Sequence, residues 1–295
     1  INAGGRVGKC SHGANLLLNK DPKSSFQLAL ELDQYNKERQ LLEKDLLQNI
    51  LNKTKVHSND PVLILSGLNW HEGIIGIVAA RIKDKFNKPV IIISLDGNIG
   101  KASARSIIGF DIGAVIIAAT QENILLKGGG HKMAGGFSIK VENIEKLKDF
   151  VFRKFRNINL NLTAVKPLIL DSIISPSAVN LEFYNKVAKL SPFGSGNPEP
   201  KFIIENVKTI NGKIVGEKHV KSLLIGNDGS TLKCVAFNAV ENDIGAYLLK
   251  KNNKSFNIAG KLSLNEWKGQ SNVEFIIDDI SVNKTFKNTV PSSIG

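Results

Sequence analysis

Cysteine is almost absent from this sequence. Cys10 and Cys234 stand far apart, and neither has a metal-ligand neighbour at short spacing. That excludes a disulfide-stapled secreted scaffold and a cysteine-built zinc site, and two thiols in a reducing cytoplasm are expected. Long apolar runs are also missing. None approaches the roughly 20 residues that a membrane span requires, so no membrane partner is expected. There is no visible signal peptide and no initiating Met; the sequence opens inside what reads as a structured motif, so a fragment without its N-terminal part is expected. Aromatic residues make up only 6%, most of them Phe. Acidic residues are outnumbered, and the net charge is +12. Residues 1–160 carry a balance of +8 and residues 161–295 one of +4, so the excess is not a single tail. Nucleic acid is the first partner such a surface suggests. The abundance of Asn, Lys and Ile fits an AT-rich coding sequence and dilutes the lysine signal. Arginine is then the informative cation, and all six arginines lie before residue 157.

What is present divides into two textures. With 295 residues, 42% of them apolar, the chain can fill about two ordinary cores. Gly4-Gly5 signals a turn, and a short helix over 13–18 stops near Asp21-Pro22. Residues 24–54 read as one long amphipathic helix, capped by Ser24 or Ser25, with Leu28, Leu32, Tyr35, Leu42 and Leu46 at helical spacing. A buried strand (61–66), a turn (69–73), a helix (74–86, with Ile77, Val78 and Ile82 inward) and a strand (90–93) follow, as in a parallel pair. Asp96-Gly97-Asn98 is a hairpin turn. A helix over 111–126, capped by Asp111, runs into a glycine-rich stretch, then a strand (137–141) and a closing helix (142–156). After an Asn-rich linker at 157–161, short alternating strands appear near 202–207, 220–225, 232–237, 256–264 and 273–280. They are preceded by a helix over 176–189 and a turn-rich loop at 192–200. Five such strands predict a small barrel, best fitted by an OB-fold.

Two stretches carry chemistry. Gly128-Gly129-Gly130-His131-Lys132-Met133-Ala134-Gly135-Gly136 holds five of the 26 glycines. Without Cβ atoms, backbone N–H groups can approach an anion closely, and His131 can donate to a phosphate oxygen. A glycine C-cap running into a tight turn, with a solvent-facing histidine, is the competing reading. In Gly100-Lys101-Ala102-Ser103-Ala104-Arg105-Ser106, strand alternation puts Lys101, Ser103 and Arg105 on one side. Ammonium, hydroxyl and guanidinium on one face suit a phosphate; an ordinary polar strand edge is the alternative. His71 and Glu72 lie on a loop and are too few for a metal centre, so His71 is read as a phosphate or structural contact and no metal ligand is assigned. In the barrel, His219, Lys221, Phe237, Trp267 and the adjacent Lys268 are candidates for a nucleic-acid face. Phe237 fits a core better than a stacking platform, and Trp267 fits both.

Gly-Gly-His, two residues, Ala and Gly resembles the signature of the DHH-associated domain, the substrate-binding half of DHH-family phosphoesterases. Further segments resemble, in order, the RecJ family of single-strand-specific 5′→3′ DNA exonucleases. They are Asn2-Ala3-Gly4-Gly5-Arg6, Asn36-Lys37-Glu38-Arg39-Gln40, Trp70-His71-Glu72-Gly73 with Ile75-Gly76-Ile77-Val78-Ala79, Ser103-Ala104-Arg105-Ser106, and Pro192-Phe193-Gly194-Ser195-Gly196-Asn197-Pro198-Glu199-Pro200. The family usually has Ala where Gly4 stands and Gly where Ala102 stands. The resemblance implies the tail of a DHH catalytic domain (1–22), a connecting helix (23–57), a DHH-associated α/β domain (58–160) and an OB-fold nucleic-acid-binding domain (161–295). It implies that Arg6, Ser103 and Arg105 hold a 5′-phosphate and that His131 with Gly129 and Gly130 supports the scissile phosphate. It also implies Mn²⁺ or Mg²⁺ in the full-length family member, bound by a domain preceding Ile1. No Asp-His-His run occurs here, so this chain is expected to bind no metal and to bind DNA without cutting it. Single-stranded DNA is the expected partner, with a single-strand-binding protein and a helicase beside it, in cytoplasmic repair and recombination. A small-nucleotide (nanoRNA) phosphoesterase and a non-enzymatic single-strand-binding module are the rival readings.

Overall fold

A computed structural model of the chain describes residues 1–53, 60–158, 168–194, 196–250, 254–267 and 269–282. Two compact units divide it, Ile1–Val165 and Lys166–Gly295.

The first unit begins with three helices, α1 (Gly4–Val7), α2 (Ser11–Leu18) and α3 (Pro22–Lys53). The Gly4-Gly5 pair is a helical turn rather than a break. Gly4 is buried, and a Cβ there would lie 2.7 Å from the Lys9 carbonyl oxygen, so an alanine would require the Lys9 backbone to shift. Pro22 does not stop a helix but starts one. Its missing N–H is no loss in a first turn, and the Asp21 carboxylate, not a serine, accepts from the Ser24 N–H at 2.9 Å.

A five-stranded sheet follows, β1 (Leu63–Leu68), β2 (Val90–Asp96), β3 (Ile99–Arg105), β4 (Lys127–His131) and β5 (Ala134–Lys140), ordered β1-β2-β3-β5-β4. β1 and β2 are parallel, joined by α4 (Glu72–Phe86); the other pairings are antiparallel. The lower face rests on α5 (Ile112–Gln121) and α6 (Ile144–Arg156), packing Ile91, Ile93, Ala102, Ala104, Phe137 and Ile139. The upper face is covered over β1 and β2 by α4 and the C-terminal half of α3, through Leu46, Ile50, Ile74, Val78, Ile82, Val90 and Ile92. Ile77, expected inward, is only half-buried. Over β3, β5 and β4 the upper face is mostly polar or bare, with exposed Ile99 at one end and Ala134 at the other, because Lys101, Ser103 and Arg105 alternate with the buried alanines.

The second unit holds β6 (Ser172–Ile173), α7 (Leu181–Ala188), β7 (Phe202–Val215), β8 (His219–Ile225), β9 (Thr231–Ala236), α8 (Asp243–Leu249), β10 (Phe256–Trp267) and β11 (Gln270–Ser281). Antiparallel β7-β8-β9, a parallel β9–β11 step, β11–β10 and a closing β10–β7 pairing make a five-stranded barrel with α8 between its third and fourth strands. The expected 176–189 helix is a 3-10 turn at Pro176–Ala178 and then α7, split because Asn180 caps the second piece. Helix α8 is an element that strand alternation did not announce; Asn242 caps it. In the 192–200 loop, the Asn197 amide donates to the Leu190 and Pro192 carbonyls, which gives that motif a structural purpose. Residues 159–161 of the expected linker lie outside the described residues.

Cys234 is fully buried in the barrel, whereas Cys10 is exposed. Burial first, and the Glu274 charge second, raise the Cys234 thiol well above the ordinary range. One equivalent of a thiol reagent should therefore react rapidly with the native chain, at Cys10, and the second only in denaturant. Rapid reaction of both would refute the burial. Because the folded value is the higher one, stability of this unit should fall as pH rises through the unfolded thiol's value of about 8.5.

A candidate phosphate-binding face

The glycine-rich stretch is not a loop between a helix and a strand. α5 ends at Gln121, and Lys127 to Lys140 is a hairpin with Gly128-Gly129-Gly130 in its first strand and Gly135-Gly136 at the start of its second. A residue without a side chain has no hydrophobic period, so alternation revealed only the 137–141 end of the second strand and neither the first strand nor the glycine pair. None of the five glycines has a positive φ; close approach, not a left-handed backbone, is what they supply. On the lower side, a Cβ at Gly135 would lie 2.4 Å from Ile116 Cδ1, and one at Gly128 2.7 Å from Ile116 Cγ2. There α5 presses directly on the sheet. On the upper side, Gly129 meets nothing within 4 Å and leaves the sheet bare.

Three cross-strand rows cross this upper face: Arg105–Ala134–His131, Ser103–Gly136–Gly129 and Lys101–Ser138–Lys127. The middle row is the side-chain-poor floor of an open groove of about 600 Å³. Cationic residues flank it on both sides. The Ser106 N–H donates to the Met133 carbonyl at 2.9 Å, and the Ile112 N–H to the Lys132 carbonyl at 3.3 Å, fixing the hairpin tip and with it His131. His131 is exposed, and its Nδ1 accepts from the Met133 N–H, which leaves Nε2 facing solvent. β4 is the sheet edge, so alternate backbone groups along Gly128–Gly130 point outward.

Arg105 is half-buried. Its Nη1 donates to Ser103 Oγ at 3.1 Å and to the Ala104 carbonyl at 2.8 Å. Burial, and secondarily the charge of Arg6, push its pKa below the ordinary arginine value. Arg6 comes from α1, 99 residues away in sequence, and its Nη1 donates to the Gly73 carbonyl at 3.2 Å in the first turn of α4. Among the described residues neither arginine has a carboxylate partner. Lys101 differs: it is ion-paired with Glu72 at 2.7 Å, which raises its pKa, but both groups are exposed and the pair is weak. His71 is the N-cap of α4, its Nδ1 accepting from the Gly73 N–H, so the structural reading of His71 is the one built here. Ala102, where glycine was expected, points into the α5 core and away from the groove.

On the barrel, Lys221 is ion-paired at 2.5 Å with Glu274, whose side chain is almost fully buried, so its charge is already answered. His219 Nδ1 accepts from the Asn238 N–H, and its ring stands edge-on to Phe237 at 5.1 Å between centroids. Phe237 is not core, being 58% exposed. It follows the end of β9, where alternation no longer dictates burial. Lys268 and the side chain of Trp267 lie outside the described residues. The sequence reading missed Glu72, Gly73 and Gly76 as parts of this site; the glycines three apart within an otherwise good helix were the available signal.

A DHHA1 domain model matches residues 59–157 and a RecJ OB domain model residues 170–279. The chain is 32% identical over 292 residues to the single-stranded-DNA-specific exonuclease RecJ of Haemophilus influenzae, covering 95% of this chain and 50% of that protein. It is 29% identical over 289 residues to the protein of that name from Bacillus subtilis, covering 96% and 36%. The crystal structure of RecJ with Mn²⁺ from Thermus thermophilus matches with a TM-score of 0.77 at 26% identity, over 98% of this chain and 41% of that one. The chain thus spans half or less of the length of these relatives.

Proposed function

This chain belongs to the RecJ family, and from that premise we propose that it is the DNA-gripping part of a single-stranded-DNA-specific 5′→3′ exonuclease of DNA repair and recombination. The carrying observation is Arg105: a half-buried guanidinium anchored to Ser103, its pKa lowered by burial first and by the charge of Arg6 second, with no carboxylate on either arginine among the described residues. Such a pair is unfavourable until an anion arrives, and a terminal phosphate brings about two negative charges and three acceptor oxygens.

In this reading Arg105, Ser103 and Arg6 hold the 5′-phosphate. His131 Nε2 and the outward backbone of Gly129 and Gly130 meet the next phosphate, and Lys101 exchanges Glu72 for the strand. Phe237 against His219 offers a base a stacking surface; Lys221 serves mainly through its pair with Glu274. A single-strand-binding protein and a helicase, which hold and produce such strands, are the natural protein partners in the cytoplasm. The family's chemistry uses Mn²⁺ or Mg²⁺. Among the described residues no group of three or more His, Cys, Asp or Glu is placed to hold a metal ion, so no hydrolytic step is assigned to them.

Fluorescence anisotropy tests the reading with a 3′-labelled strand of about 20 nucleotides, longer than one OB-fold footprint. The 5′-phosphorylated strand should bind at least about tenfold tighter than the 5′-hydroxyl strand. Log K should fall with log salt by about 0.7 per phosphate neutralised, more steeply for the phosphorylated strand. Equal affinities and equal slopes would sink the terminal-phosphate site.

A further inference from the structure

Gly76 lies inside α4, where glycine weakens a helix relative to alanine. A Cβ there would lie 3.0 Å from Arg105 Nη2 and 3.0 Å from Ser103 Oγ. Three residues earlier on the same helix, a Cβ at Gly73 would lie 2.2 Å from the Arg6 carbonyl oxygen. The two arginines thus arrive from α1 and β3 and settle against side-chain-free spots one helical turn apart. At Gly73 the obstacle would be backbone. At Gly76 it would be the tips of two side chains, which can move without disturbing the fold.

We infer that Gly76 is a positioning residue for terminal-phosphate recognition, its missing side chain setting where the Arg105 guanidinium and the Ser103 hydroxyl sit. The inference rests on the phosphate reading above and goes beyond it, because Gly76 touches no substrate. Bidentate capture of a phosphate depends on the plane and direction of the guanidinium fork. A shift of a few tenths of an ångström, forced by one methyl group, also pushes on Ser103, the residue to which that fork is anchored. A helix that merely tolerates glycine would respond oppositely, since alanine raises helix propensity and should leave thermal stability unchanged or higher.

The test is a series in the full chain: Gly76→Ala, Gly76→Val, Arg105→Ala and Gly76→Val with Arg105→Ala. Each is measured for thermal stability and for the ratio of affinities for 5′-phosphorylated and 5′-hydroxyl strands. Gly76→Ala should lower that ratio severalfold and Gly76→Val should bring it down to the Arg105→Ala level, with 5′-hydroxyl binding little changed. The double variant should lose no more than Arg105→Ala alone, because both changes act through one group. A wild-type ratio in Gly76→Val beside a lost ratio in Arg105→Ala overturns the inference and leaves the phosphate site standing. A wild-type ratio in Arg105→Ala overturns the phosphate reading, and this inference with it. Should Gly76→Val fail to fold, folding of the double variant would trace the clash to Arg105 and support the inference; failure of both would place the clash elsewhere and overturn it.

Discussion

Arg105→Ala is expected to remove most of the preference for a 5′-phosphorylated strand, a loss of about 1.5–3 kcal/mol or roughly 10- to 150-fold. Arg105 is held by Ser103 Oγ and the Ala104 carbonyl on one nitrogen, which leaves the rest of the fork to a ligand. It is the more buried member of the arginine pair, so its contact with an anion is less screened than that of exposed Arg6. Arg105→Lys should recover only part of the loss, since an ammonium keeps the charge but not the two-pronged geometry. The preference should also depend on pH in a defined direction. A phosphate monoester loses its second charge as pH falls below about 6, so the wild-type ratio should shrink there. In Arg105→Ala that pH dependence should be largely gone. A variant that kept both the ratio and its pH dependence would show that the terminal phosphate binds elsewhere.

Arg39→Ala is expected to destabilise the first unit by about 3 kcal/mol, read from the urea midpoint at constant slope. Glu43, on the buried stripe of α3, has a side chain only 4% exposed, and it accepts from Arg39 Nη1 at 2.5 Å and from Arg81 Nε of α4. This three-member cluster fastens the long helix to the helix that carries Gly73 and Gly76. Removing Arg39 leaves a buried carboxylate with only its more exposed partner, Arg81, and an under-compensated buried charge is the costly outcome. Combining Arg39→Met with Glu43→Leu should restore most of the stability, because an apolar pair of similar volume avoids desolvating charge altogether. If Arg39→Ala costs less than about 1 kcal/mol, the cluster behaves as a surface pair and contributes little. If the Met/Leu pair is as unstable as Arg39→Ala, packing rather than charge is what the cluster supplies.

Features that depend on near neighbours were legible in the sequence. Alternation over Lys101, Ser103 and Arg105 placed three polar groups on one face, and β3 presents them so. Asp111 announced the cap of α5, and five alternating runs announced the barrel strands. Order and spacing of the motifs were enough to indicate the family, because a motif is a local string. The remaining features arose from long-range packing. Glycine runs have no period to read, so β4 and the start of β5 emerged only from the packing of Ile116 against them, whereas the 137–141 end was legible. The ion pairs of Lys101 with Glu72 and Lys221 with Glu274 separate answered cations from free ones, and each joins residues at least 29 positions apart. The approach of Arg6 and Arg105 to the same helix depends on α4 presenting two bare spots, at Gly73 and Gly76. Periodicity and capping are written within a few residues, whereas which charges meet, and how closely backbones approach, are properties of distant segments brought together by the fold.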